Sequence, residues 1–326
     1  PRELRTTRMT KSNERRRGPG RAAPLQILLA ALLWSTMGPV KMLAPTAATP
    51  VALGAVRVLG GGGLLCAIAA FRGGRNWASK AWSTSANRAF MVVGSVAVAG
   101  YQMGFFGAVQ RVGVAKATAV AMGTTPIVTG LLSRLLDRRR LGARWWGSTL
   151  AAVTGVTLLS HGHGGSNAPT GLMLAAVASV SFATLIVCIG GLVDRGVEPI
   201  AGAGHLFAGG ALILLPAFLH GPTSWLVTGR GALVSLHLAV LGTAAAYWLY
   251  SDGLRSTRPA VAATISLAEP ASATILGVAL LHERLSAPAW LGLALLGSGL
   301  IAMTMSSVVL IRSRRPRPST TTTAPA

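Results

Sequence analysis

One acidic residue, Glu269, stands in the middle of an apolar segment and is followed directly by Pro270. If the segment crosses a bilayer, an ionised carboxylate there costs about 2.5–3.5 kcal/mol even on insertion scales, unless it is paired, hydrated or protonated. The proline removes one helix hydrogen bond and frees a carbonyl group near Ser266. The pattern predicts a polar interruption at which Glu269 either binds a proton or an amine, or stabilises the helix break against a hydroxyl or an arginine.

A basic residue, Arg57, also lies deep inside an apolar segment, about two turns from one end. Ionisable groups at membrane depth usually bind a ligand or form a buried pair. Arg57 therefore either binds a carboxylate of a solute or pairs with Glu269. The alternative is that its long side chain extends to the nearer interface and has neither role.

Two threonines, Thr124 and Thr125, precede Pro126 inside another apolar segment. A proline within a helix leaves a carbonyl without its hydrogen bond, and a neighbouring hydroxyl satisfies such a group. We expect this role for the two threonines, and lining a cavity is the alternative.

Several aromatic and amide side chains also lie within apolar segments. Trp34, Tyr101 and Gln102 are near mid-depth and are candidates for lining a cavity that receives an amphipathic solute. Three others approach a segment end, where aromatic residues commonly form a belt at the membrane interface: Tyr247, Trp248 and Tyr250.

The composition is that of a polytopic membrane protein. The 326 residues are 51% hydrophobic and only 12% charged, about half the charged fraction of a soluble chain. Apolar stretches of roughly 20 residues recur, and each is long enough to cross the bilayer core as a helix. We predict an all-α protein with ten spans, at 24–44, 50–71, 90–111, 113–135, 143–161, 170–193, 199–219, 231–251, 259–281 and 287–311.

The basic residues indicate the orientation of these spans. The formal net charge is +22, which in a soluble protein would suggest nucleic acid, but here the basic residues cluster in the tails and between the spans. Topology signalling and contact with anionic lipid explain them better. With both termini cytoplasmic, most of the 30 Lys and Arg fall inside, and the outer side holds only Lys41, Arg111, Lys116, Arg230 and Arg284.

The chain also contains an internal repeat. A shift of 144 residues places Pro126 on Pro270 and Trp146 on Trp290, without a gap. The unit holds five spans, and because five is odd the second copy enters the membrane from the opposite side. Inverted repeats of this kind are typical of secondary transporters, which bind their substrate near the midplane between the halves.

The sequence resembles the EamA-type carriers of the drug/metabolite transporter superfamily. The resemblance rests on LAEPASATILGVALLHERLSAPAWLGLALLGSGLIAM (267–303) and its echo TPIVTGLLSRLLDRRRLGARWWGSTLAAVTGVTLLS (125–160). The opening stretches LLWSTMGPVKMLA (32–44) and PVALGAVRVLGG (50–61) are also similar. The resemblance implies ten helices, a central cavity formed by both halves, and export or exchange of amino acids or other small metabolites.

These observations predict the domain organisation. A first five-helix EamA repeat covers 24–161 and a second covers 170–311, between a basic tail at 1–20 and a Thr-rich tail at 313–326, both cytoplasmic and disordered.

The predicted function is a secondary transporter of the plasma membrane that exports a small metabolite such as an amino acid. The candidate site comprises Glu269, Arg57, Trp34, Tyr101, Gln102, Thr124, Thr125 and Ser266, with helix breaks at Pro126 and Pro270. A proton gradient acting through Glu269 is the candidate driving force. The alternatives are a multidrug or other metabolite exporter or importer of the same fold and, in another class, a membrane enzyme acting on a lipid-linked substrate.

No cofactor, metal or nucleic acid is expected, and enzymatic activity is not predicted. The HGHG stretch at 161–164 lacks a nearby acid or thiol, so a loop is favoured over a metal site. Substrate identity, direction, coupling ion and oligomeric state stay open.

Overall fold

The computed structural model describes residues 22–74, 77–137, 141–160, 168–281 and 285–313, and within them every regular element is a helix. The predicted tail at 1–20, the predicted tail at 313–326 except for Ser313, and the HGHG stretch at 161–164 lie outside these ranges. The elements are α1 (Ala23–Ser35), α2 (Met37–Met42), α3 (Pro50–Gly73), α4 (Ser85–Asp137), α5 (Ala143–Leu159), α6 (Pro169–Asp194), α7 (Pro199–Leu219), a 3₁₀ turn (Ser224–Val227), α8 (Gly229–Ala239), a π-helix (Val240–Ala245), α9 (Ala246–Gly253), α10 (Pro259–Ile265), α11 (Ala268–Leu281) and α12 (Ala287–Ser313).

Eight helical segments of the described chain are long and apolar enough to cross a membrane. One of them, α4, has 53 residues, about 80 Å of helix and more than twice the thickness of a bilayer core. Its backbone leaves the helical region at Gly113, where φ is 81° and a glycine is favoured. Another helix, α5, has 17 residues. The protein is therefore an all-helical, multi-pass membrane protein, while the count of ten spans stays a prediction.

Helix starts follow local chemistry. Four helices, α3, α6, α7 and α10, begin with proline, which has no N–H to leave unpaired at this position. Side chains cap two of these starts: Thr49 accepts a hydrogen bond from the Ala52 N–H, and Glu198 accepts one from the Ala201 N–H. These caps fix where the spans begin.

Glycines set the packing of α5 on α12. A Cβ atom at Gly155 would lie 2.6 Å from the Gly292 carbonyl oxygen, and one at Gly299 would lie 2.6 Å from the Ser148 carbonyl oxygen. The 144-residue shift carries Gly155 onto Gly299 and Ser148 onto Gly292, so the two contacts are equivalent. Because the lower-numbered end of α5 meets the higher-numbered part of α12, the two helices run antiparallel.

Gly155→Val is expected to destabilise the folded protein by about 2 kcal/mol or more, because the added carbons meet the α12 backbone, which cannot move away cheaply. The measurement is the melting temperature of the detergent-purified chain. Gly147→Val, on the same helix, is the matched control because nothing lies within 4 Å of its Cβ position. Equal melting temperatures for the two variants would contradict the close packing.

Candidate functional site

A break in the helix precedes Glu269. After α10 the backbone turns at Ser266 and Leu267, and α11 resumes at Ala268. Pro270 lacks the N–H that would bond to the Ser266 carbonyl oxygen, and the Glu269 N–H takes that carbonyl instead, at 3.0 Å. The helix is interrupted at the position where the sequence predicts a break. The break places the half-buried Glu269 carboxylate in the first turn of α11.

Arg57 is buried in the interior of the bundle, with 4% of its surface exposed. Its Nε–H donates to Thr243 Oγ1 at 3.3 Å, and the buried Tyr247 lies within electrostatic range of the guanidinium. It lies within electrostatic range of Glu269. Snorkelling of Arg57 to the interface, one of the alternatives above, is therefore not what the side chain does.

The π-helix at Val240–Ala245 presents Thr243 to Arg57. The wider turn lets the Thr243 hydroxyl donate to the Leu238 carbonyl oxygen at 2.9 Å, while its oxygen accepts from Arg57. Gly61, one turn beyond Arg57 on α3, leaves the space that Thr243 fills. Such π-helical turns occur frequently at functional sites. Nothing in the sequence marks Thr243 as a site residue, because a single threonine among apolar residues is common.

Lys41 is a third charged residue of the site. Its Nζ lies 5.1 Å from the centroid of the Phe106 ring, a cation–π distance, and Phe106 occupies the space left by Gly54. Lys41 lies within electrostatic range of both Arg57 and Glu269. From the sequence, Lys41 is counted only among the charges of the outer side and is not predicted as a site residue. Its position inside the predicted span 24–44 was the signal that could have revealed it.

Aromatic rings pack beside this charged cluster of Lys41, Arg57 and Glu269. The Trp34 ring is centred 5.0 Å from Tyr247 and 5.3 Å from Tyr250, and 6.0 Å from Phe182. The Ser266 hydroxyl lies 3.5 Å from the Tyr250 hydroxyl. Tyr247 and Tyr250 are buried, so placing them in an interfacial belt was wrong. Both lie on the inward face of α9, and their neighbour Trp248 is exposed.

Tyr101 and Gln102 occupy the middle of the first half of α4. Tyr101 stacks on Phe105 and contacts Phe182, and it lies within electrostatic range of Glu269. Gln102 is buried, and neither its Oε1 nor Trp34 Nε1 has a hydrogen-bond partner among the described residues. Because buried polar atoms normally have partners, these two are available to water or a solute.

Thr124 and Thr125 contact a different part of the bundle. The Thr124 hydroxyl lies 2.7 Å from Ser179 Oγ on α6 and 2.7 Å from the Val120 carbonyl oxygen. The Thr125 hydroxyl donates to the Ala121 carbonyl oxygen at 2.6 Å. The carbonyl that Pro126 leaves without a helix hydrogen bond is that of Met122, which is the residue after Ala121. In the described part of the chain these threonines therefore link α4 to α6 rather than join the charged cluster.

A second polar group joins the two halves of the chain at the end of the bundle where α1 begins, which we call the Ala23 end. Gln26 Nε2 on α1 donates to Asp252 Oδ2 on α9 at 2.7 Å. Asp252 also accepts from Arg255 Nε at 2.7 Å. Arg255 reaches Glu198 at 3.7 Å between exposed side chains, a weak contact. No sequence pattern pointed to this link, since its partners are 226 residues apart.

A multi-pass helical bundle with charged side chains gathered in its interior, contributed by both halves of a repeated chain, is the architecture of a membrane transporter. The model of the EamA-like transporter family matches residues 21–161 and again residues 169–305. The chain therefore belongs to the EamA-like transporter family, and the resemblance drawn from the sequence is confirmed.

Similar proteins align with this chain over nearly its whole length. The chain is 35% identical over 288 residues to a protein named uncharacterized transporter YwfM from Bacillus subtilis, covering 87% of this chain and 94% of that one. It is 27% identical to the uncharacterized inner membrane transporter YicL of Salmonella typhimurium, covering 89% and 97%. One solved crystal structure, at 24% identity, superposes with a TM-score of 0.74 over 89% of this chain and 98% of that chain, which shows the shared fold.

Proposed function

We propose that the protein is a secondary carrier that moves a small metabolite, such as an amino acid, outward across the plasma membrane by alternating access. The observation that supports this proposal most strongly is that both halves of the chain contribute residues to the charged cluster. Lys41 and Arg57 come from the first matched stretch of the chain, whereas Glu269 comes from the second. A site between two halves changes the side from which it is open when the halves move against each other.

The proposed architecture has ten spans in two inverted repeats. Dividing α4 at Gly113 and adding the 17-residue α5 to the other segments gives ten. The antiparallel packing of α5 and α12, which correspond under the 144-residue shift, supports the inversion. The excess of basic residues supports cytoplasmic termini, which makes the Ala23 end the inner one. The name of YicL, an inner membrane transporter, supports the plasma membrane location.

The direct test uses the full chain reconstituted in liposomes. Vesicles loaded with one amino acid or organic acid should take up the same labelled solute by counterflow, at a rate that saturates. The expected result is flux in the absence of ATP, since the carrier needs only solute gradients. Absence of saturable flux for amino acids, organic acids, sugars, nucleosides and cationic drugs alike would contradict the carrier function.

The hydrogen bond from Gln26 to Asp252 holds the Ala23 end closed in this proposal. Gln26→Leu removes a bond to a charged acceptor, worth about 1.5–3 kcal/mol. It is expected to open this end about tenfold more often. The readout is the rate at which a water-soluble thiol reagent labels Leu254→Cys, a buried position at this end, in a Cys66→Ser, Cys188→Ala background.

Gln110→Leu is the matched control for this change, because Gln110 is an exposed glutamine on α4. It should leave the labelling rate unchanged. Equal rates in the Gln26 and Gln110 variants would show that the link does not restrain opening.

A further inference from the structure

We propose that the charged cluster recognises a solute of net negative charge, with a carboxylate or phosphate group bound between Lys41 and Arg57. This inference rests on the proposed function, since it takes the cluster to be the substrate site. It narrows a broad class of small metabolites to anions.

The first argument is the balance of charge. Two cations, Lys41 and Arg57, lie within electrostatic range of one carboxylate, Glu269, and the described side chain that accepts a hydrogen bond from Arg57 is the neutral hydroxyl of Thr243. Even with Glu269 ionised, one positive charge is left over. Surplus charge is unfavourable away from water. A zwitterion leaves that surplus in place, a cation increases it, and an anion removes it.

The second argument is that Lys41 and Arg57 lie within electrostatic range of Glu269 without forming an ion pair with it. Among the described residues, no ion pair within 4.0 Å involves Lys41 or Arg57. Arg57 is nonetheless more than nine-tenths buried. Buried charges normally have an ionic or hydrogen-bonded partner of opposite charge. The missing partner indicates a place for an anionic group supplied by the solute.

The third argument is the supply of donors. A guanidinium has five N–H groups, and the bond from Nε to Thr243 uses one of them. The remaining donors suit the paired oxygens of a carboxylate or phosphate. Lys41 adds an ammonium whose contact with Phe106 is to the face of a ring, which uses no acceptor. The site therefore has more unused donors than acceptors.

The test measures thermal stabilisation of the detergent-purified full chain by defined solutes, because a ligand that binds the folded state raises the melting temperature. Glutamate and malate represent carboxylates, glycerol phosphate represents phosphates, leucine represents zwitterions and lysine represents cations. We expect stabilisation by at least one of the anions and none by leucine or lysine at the same concentration. Comparing the rise in melting temperature caused by malate with that caused by glycerol phosphate then shows whether a carboxylate or a phosphate is recognised.

Charge-changing variants locate the binding site. Lys41→Met should weaken anion binding at least tenfold, and Lys41→Arg should restore most of it. Arg230→Met, which removes the same charge from an exposed position at the start of α8, is the matched control and should bind as the wild type does. Equal anion binding by the Lys41→Met and Arg230→Met variants would overturn the assignment of the anion to this cluster.

The two levels of the proposal fail in distinguishable ways. Stabilisation by leucine or lysine without any anion, together with counterflow of that solute, would overturn the anion preference and leave the carrier function intact. If no solute of any charge class stabilises the chain or shows saturable flux, both are overturned.

Discussion

Arg57→Met is expected to lower solute transport by about 100-fold, the largest effect of any single change in the site. The variant removes the buried guanidinium that bonds to Thr243 and leaves Glu269 without its arginine neighbour. With the anionic group of the solute as the partner of Arg57, truncating one side of the buried charge pair costs about 2–5 kcal/mol of binding, and about 3 kcal/mol corresponds to roughly a 100-fold change. Initial rates of counterflow in liposomes measure this loss.

The control for Arg57→Met is Arg111→Met, because Arg111 is exposed and bonds to a backbone carbonyl of its own helix. It should transport within about twofold of the wild type, as surface substitutions usually have small effects. Arg57→Lys keeps the charge but loses the paired donors, and an intermediate rate is expected. Wild-type rates in the Arg57→Met variant would show that the guanidinium does not bind the solute.

Glu269→Gln is expected to abolish the response of transport to a pH gradient while preserving counterflow. If Glu269 carries the coupling proton in exchange for solute, solute accumulates on the acidic side of the membrane. One pH unit supports about tenfold accumulation for each proton moved, because tenfold corresponds to about 1.4 kcal/mol. Glutamine resembles the protonated acid in shape but cannot release a proton, so the accumulation ratio should fall to one.

Vesicles with an imposed gradient of one pH unit, with and without an ionophore that collapses it, provide the measurement. Glu198→Gln is the matched control, since it makes the same acid-to-amide change at an exposed position. A Glu269→Gln variant that still accumulates solute about tenfold would remove Glu269 from proton coupling. If the variant loses both counterflow and accumulation, Glu269 is instead needed for solute binding or for folding.

The positions of the two charges found from the sequence illustrate what a linear pattern can predict. Arg57 and Glu269 were singled out because a charge inside an apolar segment is rare and costly. The helix break before Glu269 was also predictable, since Pro270 cannot donate a backbone hydrogen bond. Both inferences depend on one residue and its immediate neighbours in the chain.

Lys41 and Tyr247 show where this reasoning stops. Both lie near the ends of their predicted spans, where a lysine or an aromatic residue ordinarily contacts the interface. Lys41 lies over the ring face of Phe106, which occupies the space at Gly54, and Tyr247 packs against Trp34 and Phe207 in the interior. These neighbours lie far away in sequence. The position of Lys41 inside a span is a local signal, but neither its contact with Phe106 nor the inward direction of Tyr247 is visible in a local pattern.

The sequence by itself determined the membrane class, the 144-residue repeat and the two intramembrane charges, because each follows from composition, periodicity or the cost of one residue in lipid. Only the tertiary structure decided that Lys41, Arg57 and Glu269 form one cluster, that Thr124 and Thr125 link α4 to α6, and that Gln26 bonds to Asp252. The physical reason is that helix packing sets which faces meet. That packing depends on glycine contacts such as Gly155 on Gly292, which join residues more than a hundred positions apart.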